Sequence, residues 1–445
     1  MQDTPQDNLL ERSLNAVWHP CTQMKHHASA SPSSLPLLPI VRGEGAWLFG
    51  PESQRWLDGI SSWWVNLFGH CNPRINAALK DQLERIEHVM LAGATHEPAV
   101  ELSERLSALA GNELGHCFFA SDGASATEIA LKMSAHFWRN AGRPEKNRFL
   151  CLSGGYHGET AGALGVTDIP IFRNAYAPLV RAATVLPSPD ARNADSPLEA
   201  ARQAAAALEA HLEAHHRETA ALIVEPLVQC AAGMAMHDPE YLRRARALCD
   251  RYEVHLACDE IAVGFGRTGT FFAHEQAATG NNWRPDFLCL SKGITGGYLP
   301  LSVVMTKDAI YQAFYDDETA RGFLHSHSYT GNPLACRAAL ASLDIFETDG
   351  VLAANVARSE RIDARLSPLA GHPKVRHYRR RGMIFAFDVD ADAGFGRRFQ
   401  REALAREAML RPIGNTVYLM PPYILTDGEI DLLCQATLEA LEAAL

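Results

Sequence analysis

Lys292 closes the apolar run "FLCL" within "PDFLCLSKGITGGYLPLS" (285–302). An ammonium at the inner end of such a run costs on the order of several kcal/mol unless it is paired, deprotonated or covalently used. Asp259 stands 33 residues earlier, directly after the apolar "VHLAC", where an unpaired carboxylate is costly in the same way. It reads either as a cap for the segment that follows or as an acid holding a protonated ring nitrogen. "CFFAS" runs into "DGASATEIALKM", a small-residue turn opening a helix whose Ile129, Met133 and Phe137 form one apolar stripe. Backbone N–H groups at Gly123, Ala124 and Ser125 would face outward at the positive helix end, which suits a phosphate as well as a plain helix start. "FLCLSGGYHGET" ends in glycines followed by Tyr156, which is either an aromatic plate beside a planar ligand or a core side chain. Jointly, a lysine that can condense with an aldehyde, an acid for a ring nitrogen, a phosphate turn and an aromatic plate are what pyridoxal 5'-phosphate requires.

Such residues need a scaffold that brings distant segments to one edge. Between about 115 and 306 the runs "HCFFAS", "RFLCLSGG", "AALIVEPL", "HLACDEI", "DFLCLSK" and "LSVVMT" are almost continuously apolar, as strands covered on both faces should be. Helical patterns over 124–140, 197–217 and 239–251 separate several of them, and this alternation predicts a mainly parallel α/β sheet. Ligands of such sheets bind outside the carboxyl ends of the strands. The two ends of the chain differ. Residues 1–70 carry the prolines of "SPSSLPLLPI" and the strand pattern "GAWLFGPESQRWLDG", with "GPES" as a hairpin turn. From 338 onward come long helices, the alternating "MIFAFDV", and a last helix opened by the capping box of Thr426 and Glu429. The expected organisation is a large domain over 71–337 and a smaller α+β domain built from 1–70 and 338–445, with no internal repeats.

The 445 residues, 47% apolar and 21% charged, suffice for one large and one smaller core. A net charge of -11 and a pI near 5.9 argue against nucleic acid and anionic membrane, both of which attract basic surfaces. The basic run "RHYRRRG" (376–382) fits a solvated hairpin. The first twenty residues lack a basic segment followed by an apolar one, and no window holds the roughly 18 apolar residues of a membrane span, so a cytoplasmic location is expected. Ten cysteines are scattered singly with no CxxC pair; they read as reduced, mostly buried thiols, and no metal site is expected.

The block "CDEIAVGFGRTG", 33 residues before "SKGITGGYLPLS", with "IVEPLVQ" upstream and "TGNPLACRAAL" downstream, resembles the class III aminotransferases of pyridoxal-phosphate fold type I, over nearly the whole chain. Within that class, "VWHPCTQM", "DGISSWWVNLFGH", "GGYHGET" and "RPIGNTVYLMPPY" are similar to the members that serve biotin synthesis. The resemblance implies a homodimer that aminates 8-amino-7-oxononanoate to 7,8-diaminononanoate, with S-adenosylmethionine as donor. It implies that Lys292 carries the cofactor and shuttles a proton, that Asp259 meets the ring nitrogen, and that Gly123 and Ala124 form the phosphate turn. Tyr156 would contact ring and substrate. Ser326, His327 and Ser328 would fall on a substrate-and-phosphate loop supplied by the partner subunit, and Trp63, Trp64 and Arg411 on positions that contact the substrate chain and its carboxylate.

The chain also departs from that pattern. Cys21 stands where a tyrosine is usual and would line the donor pocket without its hydroxyl; Glu159 replaces an aspartate, and Ser328 a threonine. Aminotransferases of ornithine and γ-aminobutyrate carry an acid after "EP-x-Q-G", whereas "EPLVQCAAGM" has Ala231 and Ala232 there. Arg411 is therefore expected to lack a partner in the free enzyme and to be available to a carboxylate, the alternative being a surface arginine before Pro412. Rival functions are lysine as donor, another ω-aminotransferase, an aminomutase, and a non-enzymatic cofactor-binding regulatory module.

Overall fold

The computed structural model describes residues 5–28, 34–35, 37–278 and 283–445. Of the proline-bearing stretch 31–40, residues 31–33 and 36 lie outside the described residues. The chain divides into two compact units, one of Met1–Asn72 with Val356–Leu445 and the other of Pro73–Asn355.

The second unit is organised by a seven-stranded sheet. Its strands are β1 (His116–Ala120), β2 (Arg148–Leu152), β3 (Thr184–Leu186), β4 (Thr219–Val224), β5 (His255–Asp259), β6 (Phe287–Leu290) and β7 (Ser302–Thr306), in the spatial order β1-β7-β6-β5-β4-β2-β3. The neighbours from β6 through β5, β4 and β2 to β3 are parallel, and β7 is antiparallel to both β6 and β1. Every residue of β4, β5, β6 and β7 is buried, which is why these segments read as unbroken apolar runs. Strand β3 did not stand out in the sequence, because three residues at a sheet edge carry no period.

The helix Gly123–Asn140 lies on this sheet. Ile129 and Met133 are buried among Cys151, Ile223, Ala257, Phe287, Cys289 and Val304, and Phe137 packs against the same cluster. A fully buried side chain of this size contributes roughly 1.5–3 kcal/mol, so the stripe anchors the helix more firmly than its propensity could. Ser196 caps the helix Pro197–His215 by accepting the Glu199 N–H, with Pro197 as the first helical residue. The helix Pro333–Thr348, expected partly in the terminal domain, belongs to the second unit. Ten of its residues are buried, and it packs on Pro73–Leu83, on Glu97–Leu109 and on the turn Lys292–Thr295.

The first unit combines both chain ends. Strands Arg42–Glu44, Trp47–Phe49 and Arg55–Asp58 form an antiparallel meander, and Ala408–Met409 adds to it in parallel, with Leu57 opposite Ala408. Val375–Arg381, Ile384–Val389 and Thr416–Leu419 make a second, antiparallel sheet, so the basic run is indeed the first strand of a hairpin. Arg379 is nevertheless tied to Asp388 and Arg380 to Asp363 rather than being purely solvated. The last helix, Asp427–Ala444, opens on the reciprocal Thr426 and Glu429 box.

Candidate active site

Parallel pairing sets Asp259, the last residue of β5, opposite Cys289 of β6, and Lys292 follows three residues later. Lys292 opens the short turn Lys292–Thr295 with a φ of 45°, in the left-handed region. The residue is half-buried. Burial lowers its pKa, while Asp259, Cys230 and Glu225 pull the other way. An amine so placed is more readily deprotonated, which is what attack on a carbonyl carbon needs.

Asp259 is buried and not uncompensated as a lone acid would be. His157 Nδ1 stands 2.6 Å from its Oδ2, and the Ile261 N–H donates to Oδ1 at 3.1 Å. His157 is itself fixed, its N–H donating to Thr167 Oγ1 and its carbonyl accepting from Thr127 Oγ1. Neither His157 nor Glu225 was singled out from the sequence. Glu225 follows β4 as Asp259 ends β5, and its carboxylate accepts the N–H of Tyr156 (3.0 Å) and of Cys230 (3.0 Å). Burial pushes its carboxyl up to about 7; His157 opposes this and Asp259 adds to it. The sign that could have revealed Glu225 is the same one that revealed Asp259, an acid closing an apolar run.

Tyr156 sits on the loop after β2, edge-on to Phe172, and its hydroxyl donates to Glu159 at 2.8 Å. The start of the helix Gly123–Asn140 corrects one expectation. The Ser125 N–H is not available to a ligand, because Asp122 Oδ1 accepts it at 2.9 Å as the helix cap. The three segments are packed without spare room. A Cβ on Gly123 would stand 2.9 Å from Ile261, and one on Gly158, where φ is +120°, 2.5 Å from Ala124. The cap, the Tyr156 loop and the Asp259 strand end therefore form one edge, with an amine, an acid and a helix start as its chemistry. This donor set fits pyridoxal phosphate.

Ser326, His327 and Ser328 lie on the loop before the helix Pro333–Thr348, with both serines exposed. The His327 N–H donates to Thr330 Oγ1, and the His327 ring meets that of His325 at 2.9 Å between Nε2 atoms. Among the described residues no group of three or more His, Cys, Asp or Glu side chains could hold a metal ion.

Cys21, Trp63, Trp64 and Arg411 all belong to the first unit. Arg411 is not free as expected. Its guanidinium stacks 4.6 Å from the Trp63 ring and its Nη2 donates to the Cys21 carbonyl at 2.9 Å. Among the described residues no carboxylate pairs with it. Trp63 is 40% exposed, whereas Trp64 is buried at 6% and its indole N–H donates to the Tyr418 hydroxyl at 3.2 Å. The expectation that both tryptophans contact a ligand is therefore corrected for Trp64, a core side chain. The division follows from the backbone: Ser61, Ser62, Trp63 and Trp64 all have φ between 45° and 73°, a conformation costing an L-residue roughly 1–2 kcal/mol.

Aminotransferase class-III is the family whose model matches, over residues 28–441. The chain belongs to the class III aminotransferases. It is 44% identical over 446 residues to a Helicobacter pylori protein named adenosylmethionine-8-amino-7-oxononanoate aminotransferase, covering 98% of each chain. A Geobacter sulfurreducens protein of the same name is 38% identical, with 97% of each covered. The crystal structure of the enzyme of that name from Methanocaldococcus jannaschii superposes with a TM-score of 0.90 at 32% identity, over 99% of this chain and 100% of the other.

Proposed function

We propose that this aminotransferase moves an amino group onto 8-amino-7-oxononanoate to give 7,8-diaminononanoate in biotin synthesis, with pyridoxal phosphate as cofactor and S-adenosylmethionine as donor. The observation that carries the chemistry is the Lys292 amine, held at lowered proton affinity beside a buried, histidine-anchored Asp259. The acceptor is narrowed by relatives named for it at 33–44% identity over 81–98% of their length.

When bound, pyridoxal phosphate supplies an aldehyde carbon for amines and a ring that accepts electron density. Lys292 would hold it covalently through its amine. Its Nζ would shuttle a proton between the amine-bearing carbon of the substrate and the cofactor's aldehyde carbon, in one direction with the donor and in the other with the acceptor. Asp259 would pair with the protonated ring nitrogen, and His157 keeps Asp259 aimed. The Gly123 and Ala124 N–H groups would receive phosphate oxygens, joined by Ser326, His327 and Ser328 from a second subunit of a homodimer. Tyr156 would contact ring and substrate, and Arg411 the distant carboxylate of the acceptor, with Trp63 against its methylenes. All ten cysteines are free thiols, which suits the reducing cytoplasm.

Lysine as donor is favoured by one feature, the cysteine at position 21. Tyr156 favours S-adenosylmethionine, since a sulfonium over an aromatic face is worth about 0.5–2 kcal/mol. The test is the holoenzyme with the keto acid and each donor alone, following the diamine by mass spectrometry. Diamine formed with S-adenosylmethionine is the expected result. Product with lysine only would replace the donor, and none with any amine would remove the acceptor.

A further inference from the structure

The left-handed turn at 61–64 has no glycine to relieve it, so something must hold it. That role falls to Asp58, which is fully buried at the end of the strand Arg55–Asp58. Its Oδ1 accepts the Ser62 N–H at 2.8 Å and the Ile60 N–H at 3.4 Å. Its Oδ2 accepts the Ser62 hydroxyl at 2.7 Å and faces His70 Nε2 at 3.1 Å. The tautomer of His70 follows from its neighbour. Asn66 Oδ1 is committed to the Gly69 N–H at 2.7 Å, so the Asn66 amide NH₂ must face His70 Nδ1, 3.1 Å away, and donate to it. The ring proton is then on Nε2 and donates to Asp58. On the other side Ser61 Oγ donates to the Met420 carbonyl at 2.8 Å. What the turn delivers is opposite placement of adjacent indoles, Trp64 inward on Tyr418 and Trp63 outward under Arg411.

We propose that Asp58 is a positioning residue for substrate recognition: it clamps the left-handed turn so that Trp63 and Arg411 form a preset platform for an aliphatic chain ending in a carboxylate. The ring takes the methylenes and the guanidinium takes the anion. Asp58 touches neither. The inference rests on the assignment of Trp63 and Arg411 to the acceptor made above.

Asp58→Asn keeps the shape but puts an NH₂ where two donors must be accepted. Asp58→Asn with Ser62→Gly adds a residue that takes positive φ without cost, so the turn should re-form without its clamp. On the holoenzymes, hydrogen exchange of the amides over 60–66 and steady-state kinetics are read together. In Asp58→Asn, exchange over 60–66 should speed up at least about tenfold and KM for the keto acid rise about tenfold, with kcat and the donor half-reaction within about twofold. The added Ser62→Gly should bring KM back to within about threefold of the parent. Should Asp58→Asn not fold, Ser62→Ala deletes only the hydroxyl bond and should show the same pattern at smaller size. Unchanged exchange overturns the inference, as does a raised KM that the glycine does not rescue, or an equal loss in the donor half-reaction. Arg411→Ala, run alongside, separates the two levels. A KM unmoved by Arg411→Ala refutes the acceptor assignment, whereas a KM moved by Arg411→Ala and not by Asp58→Asn refutes the role of Asp58.

Discussion

Burial raises the proton affinity of the Glu225 carboxyl, and that has a consequence for stability. Its pKa is about 7 in the fold against an ordinary 4.5. Between those values the folded chain binds more protons than the unfolded one, so stability falls as pH rises. The contribution is complete below 4.5 and lost as pH passes 7. At 1.36 kcal/mol per pH unit the ceiling is about 3 kcal/mol. Glu225→Gln stays neutral, so in the cofactor-free protein its loss of stability from pH 5 to pH 8, read from urea midpoints, should be smaller than the parent's by up to that amount. Identical slopes would mean that Glu225 is ionised in the fold. At this scale Lys292 and Asp259 were legible, because a charge closing an apolar run is costly and therefore conspicuous. His157 was not, since its partner lies 102 residues away and a histidine in a loop has no period.

At the scale of elements, the helix Gly123–Asn140, whose first turn is the proposed phosphate site, depends on its cap. Asp122→Ala removes the acceptor for the Ser125 N–H and should lower unfolding free energy by about 1 kcal/mol. A urea midpoint that falls while the slope stays constant would report this; an unchanged midpoint would mean that the apolar stripe alone sets the helix start. Buried strands and amphipathic helices were readable from their runs and stripes. The direction of β7 was not, because a fully buried apolar run reads the same in both directions. Nor was the turn at 61–64, where four ordinary residues take a conformation that residue type disfavours and side-chain hydrogen bonds compensate.

For the whole molecule, the proposed homodimer makes a complementation test possible. If the loop with Ser326, His327 and Ser328 completes the partner's site, Lys292→Ala and a loop variant with alanine at 327 and 328 are each inactive as pure dimers. A hybrid of the two would hold one site with both lesions and one with neither. Mixing the variants under conditions that exchange subunits should restore up to about a quarter of parental activity, as expected for random pairing into closed twofold dimers. No recovery in demonstrably hybrid particles would place the loop in its own subunit's site. The division into units was only partly legible, since the boundary near 355 follows the packing of Pro333–Thr348 rather than any change in composition.

The parallel ladder between Leu57 and Ala408 also has a consequence for how the chain is made. The strand Arg55–Asp58 leaves the ribosome long before its neighbour exists. At about 5–20 residues per second, some 350 residues must be polymerised first, which takes roughly 20 to 70 seconds. During that interval the amino-terminal meander has an open edge and the buried Trp56 and Leu57 lack their cover, while Pro73–Asn355 can already collapse around its own sheet. The nascent chain therefore closes its ends last, and the amino-terminal meander, not the cofactor unit, is the segment most in need of protection during synthesis.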